Sequence, residues 1–332
     1  MVILTYVITL IISYFSLLLY TKIAKKTKIV ALGNNKNLHF GEIPRGAGLV
    51  FGTVYLSLIT FAYFQKNISF EVFLLILTGS FVCIILGFLD DVKDLKILSK
   101  LIVQFLIISI ILHLVFDSIV FSEYLITNYF IMFSLAFISL WMLNAYNFLD
   151  GSDGHLVSVT LMQCLLMGIT MYVNSQLELL WPIFFLFSVL LVFLKLNWPP
   201  ASVFMGDSGS LFIGINMIIF VLISLKNSLL EPLIVFIILS YFLIDTLGTL
   251  ILRVFIKKSW KHRHRSHPYQ NFSRKFSHQK TLLMVIGFHL FWLLPIIILT
   301  INYPTYEILL CLASLLPSFI FLIKYGPLFS AD

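Results

Sequence analysis

Three short polar stretches interrupt an otherwise greasy chain, and each carries aspartate. They read Gly-Phe-Leu-Asp-Asp over 87–91, Asn-Ala-Tyr-Asn-Phe-Leu-Asp-Gly-Ser-Asp-Gly over 144–154, and Phe-Met-Gly-Asp-Ser-Gly over 204–209. Six of the 15 acidic residues (Asp90, Asp91, Asp94, Asp150, Asp153 and Asp207) lie in or beside them. Carboxylates next to a bilayer are costly and mark function by default. Clustered carboxylate and amide oxygens are ligands for a hard divalent cation such as Mg²⁺. The combination points to phosphate chemistry at a membrane surface.

Each stretch admits a plain reading beside the chemical one. Asp90 and Asp91 end an apolar run, where a solvated charge pair is ordinary. Lys100, ten residues on, can reach back to the same surface. The pair can hold a metal, orient a phosphate or remove its proton. Asn144, Asn147, Asp150 and Asp153 place two amides and two carboxylates within ten residues, with Gly151 and Gly154 permitting tight turns. Asn147, Asp150 and Asp153 either share one helical face or sit on an irregular turn. In the third stretch Pro199 and Pro200 force an extended approach to Gly206, Asp207 and Gly209. The following helix start offers N–H groups to a phosphate, with Asp207 as a metal ligand; alternatively Asp207 or Ser208 is simply the helix cap.

The segment His262-Arg-His-Arg-Ser-His-Pro-Tyr-Gln270 packs three His among basic residues. Arg263 and Arg265 have the forked geometry that binds a diphosphate, and His267 can donate to one. A zinc site is not expected there, since no Cys is near. Asp245 lies inside an apolar run, as a functional carboxylate or a partner to a neighbouring helix. His113 and His289 read as packed core residues.

The elements that must position these groups are transmembrane helices. The chain is 60% hydrophobic and only 11% charged, well below the roughly 25% charge of soluble domains. About eleven apolar runs are long enough to span, near 2–20, 47–64, 70–89, 100–117, 126–143, 155–173, 179–195, 210–225, 231–252, 281–300 and 305–323. They do not alternate in polarity as outer-membrane strands would, so the fold class is all-α and polytopic. The first run lacks a basic leader and a small-residue cleavage site and reads as a retained span. Loops after odd-numbered spans hold 20 of the 22 Lys and Arg; only Lys66 and Lys226 lie on the other side. That bias predicts an external N-terminus and a cytoplasmic C-terminus, with all three Asp stretches and the basic loop on the cytoplasmic face. Cys83, Cys164 and Cys311 fall in apolar runs and read as small hydrophobes. A single membrane-embedded domain over 1–332 is expected.

Taken in order, these motifs resemble the polyprenyl-phosphate N-acetylhexosamine-1-phosphate transferases, relatives of phospho-N-acetylmuramoyl-pentapeptide transferase. The resemblance runs from Pro44-Arg-Gly-Ala-Gly48 to Gln270. It implies a multi-span enzyme of the bacterial cytoplasmic membrane. In the implied reaction a polyprenyl phosphate attacks the β-phosphorus of a UDP-N-acetyl sugar, UMP leaves, and a polyprenyl-diphospho-sugar forms. The resemblance gives Asp90 and Asp91 to the lipid phosphate and makes Lys100 a phosphate contact. It gives Asn147 and Asp207 to Mg²⁺, or alternatively Mn²⁺. It puts Asn144, Asp150 and Asp153 on the nucleotide side and His267 at the head of the family's His-rich loop motif. Tyr269 stands where many members have a second His. The wording of that loop resembles the branch that begins O-antigen-like chains with N-acetylfucosamine or N-acetylquinovosamine. A homodimer is an open option, and no nucleic-acid partner is expected.

Two rivals remain at this level. A transporter or flippase would place polar residues near the bilayer midplane and carry internal repeats, and no repeat is evident. A CDP-alcohol phosphotransferase would carry Ala-Arg after its Asp-Gly, where this chain has Leu156-Val157.

Overall fold

In lipid every backbone polar group must be satisfied within its own segment, so the long apolar runs of this chain become helices. The computed structural model describes residues 2–27, 30–32, 42–116, 125–256 and 266–328. Helix α1 (Val2–Lys26) leads to a small antiparallel pair, β1 (Val30–Leu32) with β2 (Glu42–Pro44). There follow α2 (Gly48–Phe64), α3 (Phe70–Lys93), α4 (Ile97–Phe116), α5 (Leu125–Leu149), α6 (His155–Val173), α7 (Leu180–Asn197) and α8 (Gly206–Lys226). Helices α9 (Pro232–Leu243) and α10 (Thr249–Phe255) are joined through a π-helical turn, Ile244–Gly248. A short helix α11 (Pro268–Lys275) precedes α12 (His278–Phe288) and α13 (Leu294–Asn302), joined by a second π-turn at His289–Leu293, and then α14 (Glu307–Tyr325). Among the described residues ten helical segments are long and apolar enough to cross a membrane, and α2, with 17 residues, is a shorter apolar eleventh. These match the eleven expected runs one for one. The helix α11 was not anticipated.

The chain forms two compact units, Met1–Asn147 with Ser175–Leu229, and Phe148–Asn174 with Leu230–Asp332. In the first, α8 is apolar all round and accordingly buried, with α2, α3 and α4 packed against it. Its approach to α2 and α3 is closer than side chains allow. A Cβ on Gly48 would overlap the backbone of Ser208 and Gly209, and one on Gly87 would overlap that of Asp207 and Ser208. Small residues at such crossings let membrane helices come into backbone contact. A buried amide link, Asn216 Nδ2 to Ser80 Oγ at 2.8 Å, joins α8 to α3 farther along. Helix α3 begins at Ser69, whose hydroxyl accepts from Val72 N–H. It ends at Asp94, whose left-handed backbone (φ 48°) turns the chain into α4.

In the second unit α6 packs on α9 and α12, α14 packs on α9, and α11 lies against α12 and α14. The π-turn at Ile244–Gly248 carries Asp245. Such an extra residue per turn shifts the helix register and is common at functional sites.

The glycine contacts make a prediction. Gly87→Ala should lower the stability of detergent-purified protein by about 1–3 kcal/mol through overpacking. Gly287→Ala, whose Cβ would meet nothing nearer than 3.9 Å, should stay within about 0.5 kcal/mol of the parent. Thermal melts of the two variants check both.

Candidate active site

The carboxylates of the first unit form one connected cluster. Backbone bonds from Phe204 N–H to Pro44 O (2.8 Å), Ala47 N–H to Phe204 O (3.2 Å) and Gly48 N–H to Met205 O (3.0 Å) stitch the Pro-Arg-Gly-Ala-Gly segment to the start of α8. This carries Arg45 to the end of α3. Arg45 Nε lies 2.9 Å from Asp91 Oδ1, and Arg45 Nη2 lies 3.3 Å from Asp207 Oδ1.

Asp91 has no exposed side-chain surface. Besides Arg45, its Oδ1 accepts from Asp207 N–H (2.9 Å), and its Oδ2 accepts from Ser208 N–H (3.2 Å) and Ser208 Oγ (3.1 Å). Asp91 thus caps α8 from another helix, satisfying donors that a helix start leaves unpaired. This corrects two sequence expectations. Asp207 N–H and Ser208 N–H are taken by a carboxylate and are not offered to a phosphate. Neither Asp207 nor Ser208 caps the helix with its own side chain. Gly206, at φ +73°, makes the turn that brings these amides onto Asp91, and a Cβ there would overlap the Asp91 carboxylate.

Asp90 is engaged differently. Its Oδ1 accepts from Leu95 N–H (2.8 Å), and its Oδ2 pairs with Lys100 Nζ (2.6 Å). Lys100 Nζ is also 3.8 Å from Asp207 Oδ2. Lys100 and Arg45 therefore both reach Asp207, which keeps 24% of its side chain accessible where Asp90 keeps 6%. Asn147 donates Nδ2 to Ser210 Oγ at 3.0 Å. Ser210 is one turn beyond Asp207 on α8, so the Asn147 amide stands against the same face of that helix. Asn144 donates to Gln104 Oε1 (2.9 Å) and to Leu140 O (2.8 Å), a link between α5 and α4.

The second unit holds the remaining predicted residues. Helix α5 stops at Leu149, so Asp150 and Asp153 lie on an irregular turn before α6; the shared-helical-face alternative does not hold. Asp150 is half-buried. Asp153 is buried, and its N–H donates to His278 Nδ1 (3.3 Å), which Ser152 Oγ also meets at 3.0 Å. His267, the residue before α11, has Nδ1 at 3.1 Å from both the Oδ2 and the backbone oxygen of Asp245. Both partners are acceptors, so Nδ1 carries the proton and Asp245 fixes the ring's tautomer. Asp245 Oδ1 also accepts from Tyr269 N–H at 3.3 Å. Burial, and then the nearby Asp245 charge, push the Tyr269 phenol well above its ordinary range, so it stays a hydrogen-bond donor. Arg263 and Arg265 lie outside the described residues.

Sequence reasoning gave no role to Arg45, Ser210 or Gln104, read Ser208 only as an alternative helix cap, and left the role of Asp245 open. The only signal for Arg45 was its place in the Pro-Arg-Gly-Ala-Gly segment.

The donor set can be tested against a divalent cation. Among the described residues no group of three or more His, Cys, Asp or Glu is arranged to hold a metal. Asp207 on α8, and Asn147 on α5 where it meets Ser210 of α8, bring a carboxylate and an amide side chain to the same stretch of that helix. That suits Mg²⁺, which keeps most of its waters and takes one or two protein oxygens together with substrate phosphates.

The chain matches the model of glycosyl transferase family 4 over residues 72–225. It is 28% identical to a probable undecaprenyl-phosphate N-acetylglucosaminyl 1-phosphate transferase of Bacillus subtilis (strain 168), over 85% of this chain and 82% of that protein. It is 26% identical to an undecaprenyl-phosphate alpha-N-acetylglucosaminyl 1-phosphate transferase of Thermotoga maritima, over 84% and 85%. A phospho-N-acetylmuramoyl-pentapeptide-transferase of Streptococcus pneumoniae (strain Taiwan19F-14) is 33% identical over 52% of this chain and 56% of its own length. The family match falls on residues 72–225, the stretch that holds Asp90, Asp91, Lys100, Asn147 and Asp207.

The cluster separates a supporting carboxylate from an accessible one. Asp91→Ala strips buried donors of their acceptor and should cost about 1–3 kcal/mol. Asp207→Ala removes a carboxylate that no described backbone amide depends on and should melt within about 0.5 kcal/mol of the parent. Denaturation of the two purified variants in one detergent checks the contrast.

Proposed function

We propose that this protein transfers the phospho-sugar of a UDP-N-acetyl sugar to a polyprenyl phosphate in the bacterial cytoplasmic membrane. UMP is released and a polyprenyl-diphospho-N-acetyl-sugar forms. The observation that carries this reading is the Asp90–Lys100–Asp207–Arg45–Asp91 cluster at the ends of apolar spans. The names printed for the relatives, matched over most of their length, agree with it.

Transfer between two anionic phosphates needs positioning and charge compensation more than covalent help from the protein. An oxygen of the polyprenyl phosphate attacks the sugar-bearing β-phosphorus. The bond from that phosphorus to the bridging oxygen breaks, and UMP departs with the electron pair. Lys100, oriented by Asp90, and Arg45, oriented by Asp91, supply positive charge to the phosphates. Asp91 acts through α8 and Arg45, as a positioning residue. Asp207 and Asn147 would hold Mg²⁺ or Mn²⁺, which supplies charge neutralisation to the diphosphate when bound. Asp150 and Asp153 serve the nucleotide side. His267, with its ring fixed by Asp245, serves the diphosphate or sugar. The enclosed Asp91 carboxylate has no open face for a covalent intermediate, which favours direct attack.

The Lys and Arg bias supports an external N-terminus and a reaction on the cytoplasmic side. We take the product to open a surface polysaccharide. The relatives' names make UDP-N-acetylglucosamine the first donor to test. The loop around His267 makes the N-acetylfucosamine and N-acetylquinovosamine donors the second.

Purified protein with Mg²⁺, undecaprenyl phosphate and a panel of UDP-N-acetyl sugars should release UMP with one of them. Asp207→Ala and Asp91→Asn should each lower turnover by about 10²-fold or more. Unchanged turnover in both would sink the site assignment. Chelation should abolish release, and Mg²⁺ or Mn²⁺ should restore it; turnover that survives chelation would remove the metal from the account.

A further inference from the structure

Tyr269 is fully buried, and its ring stacks flat on His155, with centroids 3.9 Å apart and planes 8° from parallel. His155 is itself held at both nitrogens, Nδ1 by Leu149 O (3.2 Å) and Nε2 by Tyr241 Oη (3.0 Å). The Tyr269 hydroxyl donates to Phe148 O at 2.8 Å and accepts from Gly151 N–H at 3.1 Å. These two backbone groups flank Asp150. One oxygen therefore fixes the chain on both sides of that carboxylate. A histidine at 269 could not do so, because each imidazole nitrogen either donates or accepts but never both at once.

Gly151 completes the arrangement. A Cβ at this position would overlap the Tyr269 hydroxyl and the end of Gln270, while the Tyr269 Cζ beneath lies at an ordinary 3.5 Å. The absence of a side chain at 151 and the presence of a hydroxyl at 269 are thus matched.

We propose that Tyr269 is a positioning residue that sets Asp150 for the nucleotide of the UDP-sugar, and that Tyr269 and Gly151 act as an interdependent pair. The proposal rests on the reading of the 150–153 turn as the nucleotide side. It locates the binding function of that turn in its backbone path, held by α11 and His155.

The test is a double-mutant cycle scored by KM, which does not depend on the fraction of active protein. Tyr269→Phe keeps the stacked ring and removes the hydroxyl. It should raise KM for the UDP-sugar roughly five- to tenfold, the effect of losing about one net hydrogen bond, with KM for polyprenyl phosphate within about twofold. Gly151→Ala should raise the UDP-sugar KM at least as much. The double variant should return to the level of Tyr269→Phe alone, because the oxygen that the new Cβ meets is gone and the flexible Gln270 amide, which donates to that oxygen at 3.2 Å, is released to move aside. Equal rises in both KM values, no rise, or additive effects in the double variant would overturn the proposal. Asp150→Asn separates the two levels of failure. If it leaves the UDP-sugar KM unchanged, the nucleotide reading of the turn is wrong and the proposal falls with it. If it raises that KM while Tyr269→Phe does not, the reading stands and the tether alone is refuted.

Discussion

A buried carboxylate without partners is among the least favourable groups a membrane protein can hold, and so is a buried helix start with unpaired N–H groups. Asp91 resolves both at once. Its two oxygens take the amides of Asp207 and Ser208, the Ser208 hydroxyl and the Arg45 guanidinium. The interaction is local in space and long-range in sequence, joining residues 45, 91 and 207. The close glycine contacts of α8 with α2 and α3 and the backbone stitching of 44–48 to 204–205 serve to bring these partners together. In return the arrangement presents Asp207 at the first turn of α8 with a cation on either side.

This makes the Asp-Asp pair asymmetric. Asp90 and Asp91 are neighbours on one helix end, and so project in different directions. One meets the α4 side and holds Lys100; the other meets α8 and holds its backbone. The pair is one motif with two tasks: orienting the Lys100 cation, and fixing the helix that carries a candidate metal ligand.

Much of this was legible in the residues. The apolar runs are long and cleanly broken, so each of the eleven reappears as a helix. Asp90, Lys100 and Asp207 declared themselves by chemical type and fall together. What could not be read was which polar residues face one another across helices. Asn144, read as a nucleotide-side residue, donates its amide to Gln104, a partner 40 residues away on another span. Asp245 looked isolated within an apolar run, yet it holds His267 and the Tyr269 amide. Hydropathy does not reveal a π-turn, because one extra residue leaves the run equally greasy while changing its direction. Tyr269 read as a mere departure from a His motif; its stack on His155 depends on tertiary placement that no local pattern encodes.

The central claim is that Asp91 holds the N-terminus of α8 and thereby Asp207. Hydrogen exchange of the peptide covering 205–210 in detergent-purified protein tests it most directly. Asp91→Ala should speed exchange at the Asp207 and Ser208 amides by at least about tenfold, with the α8 interior still protected. Exchange at these two amides equal to the parent's, in a variant that remains folded, would contradict the account.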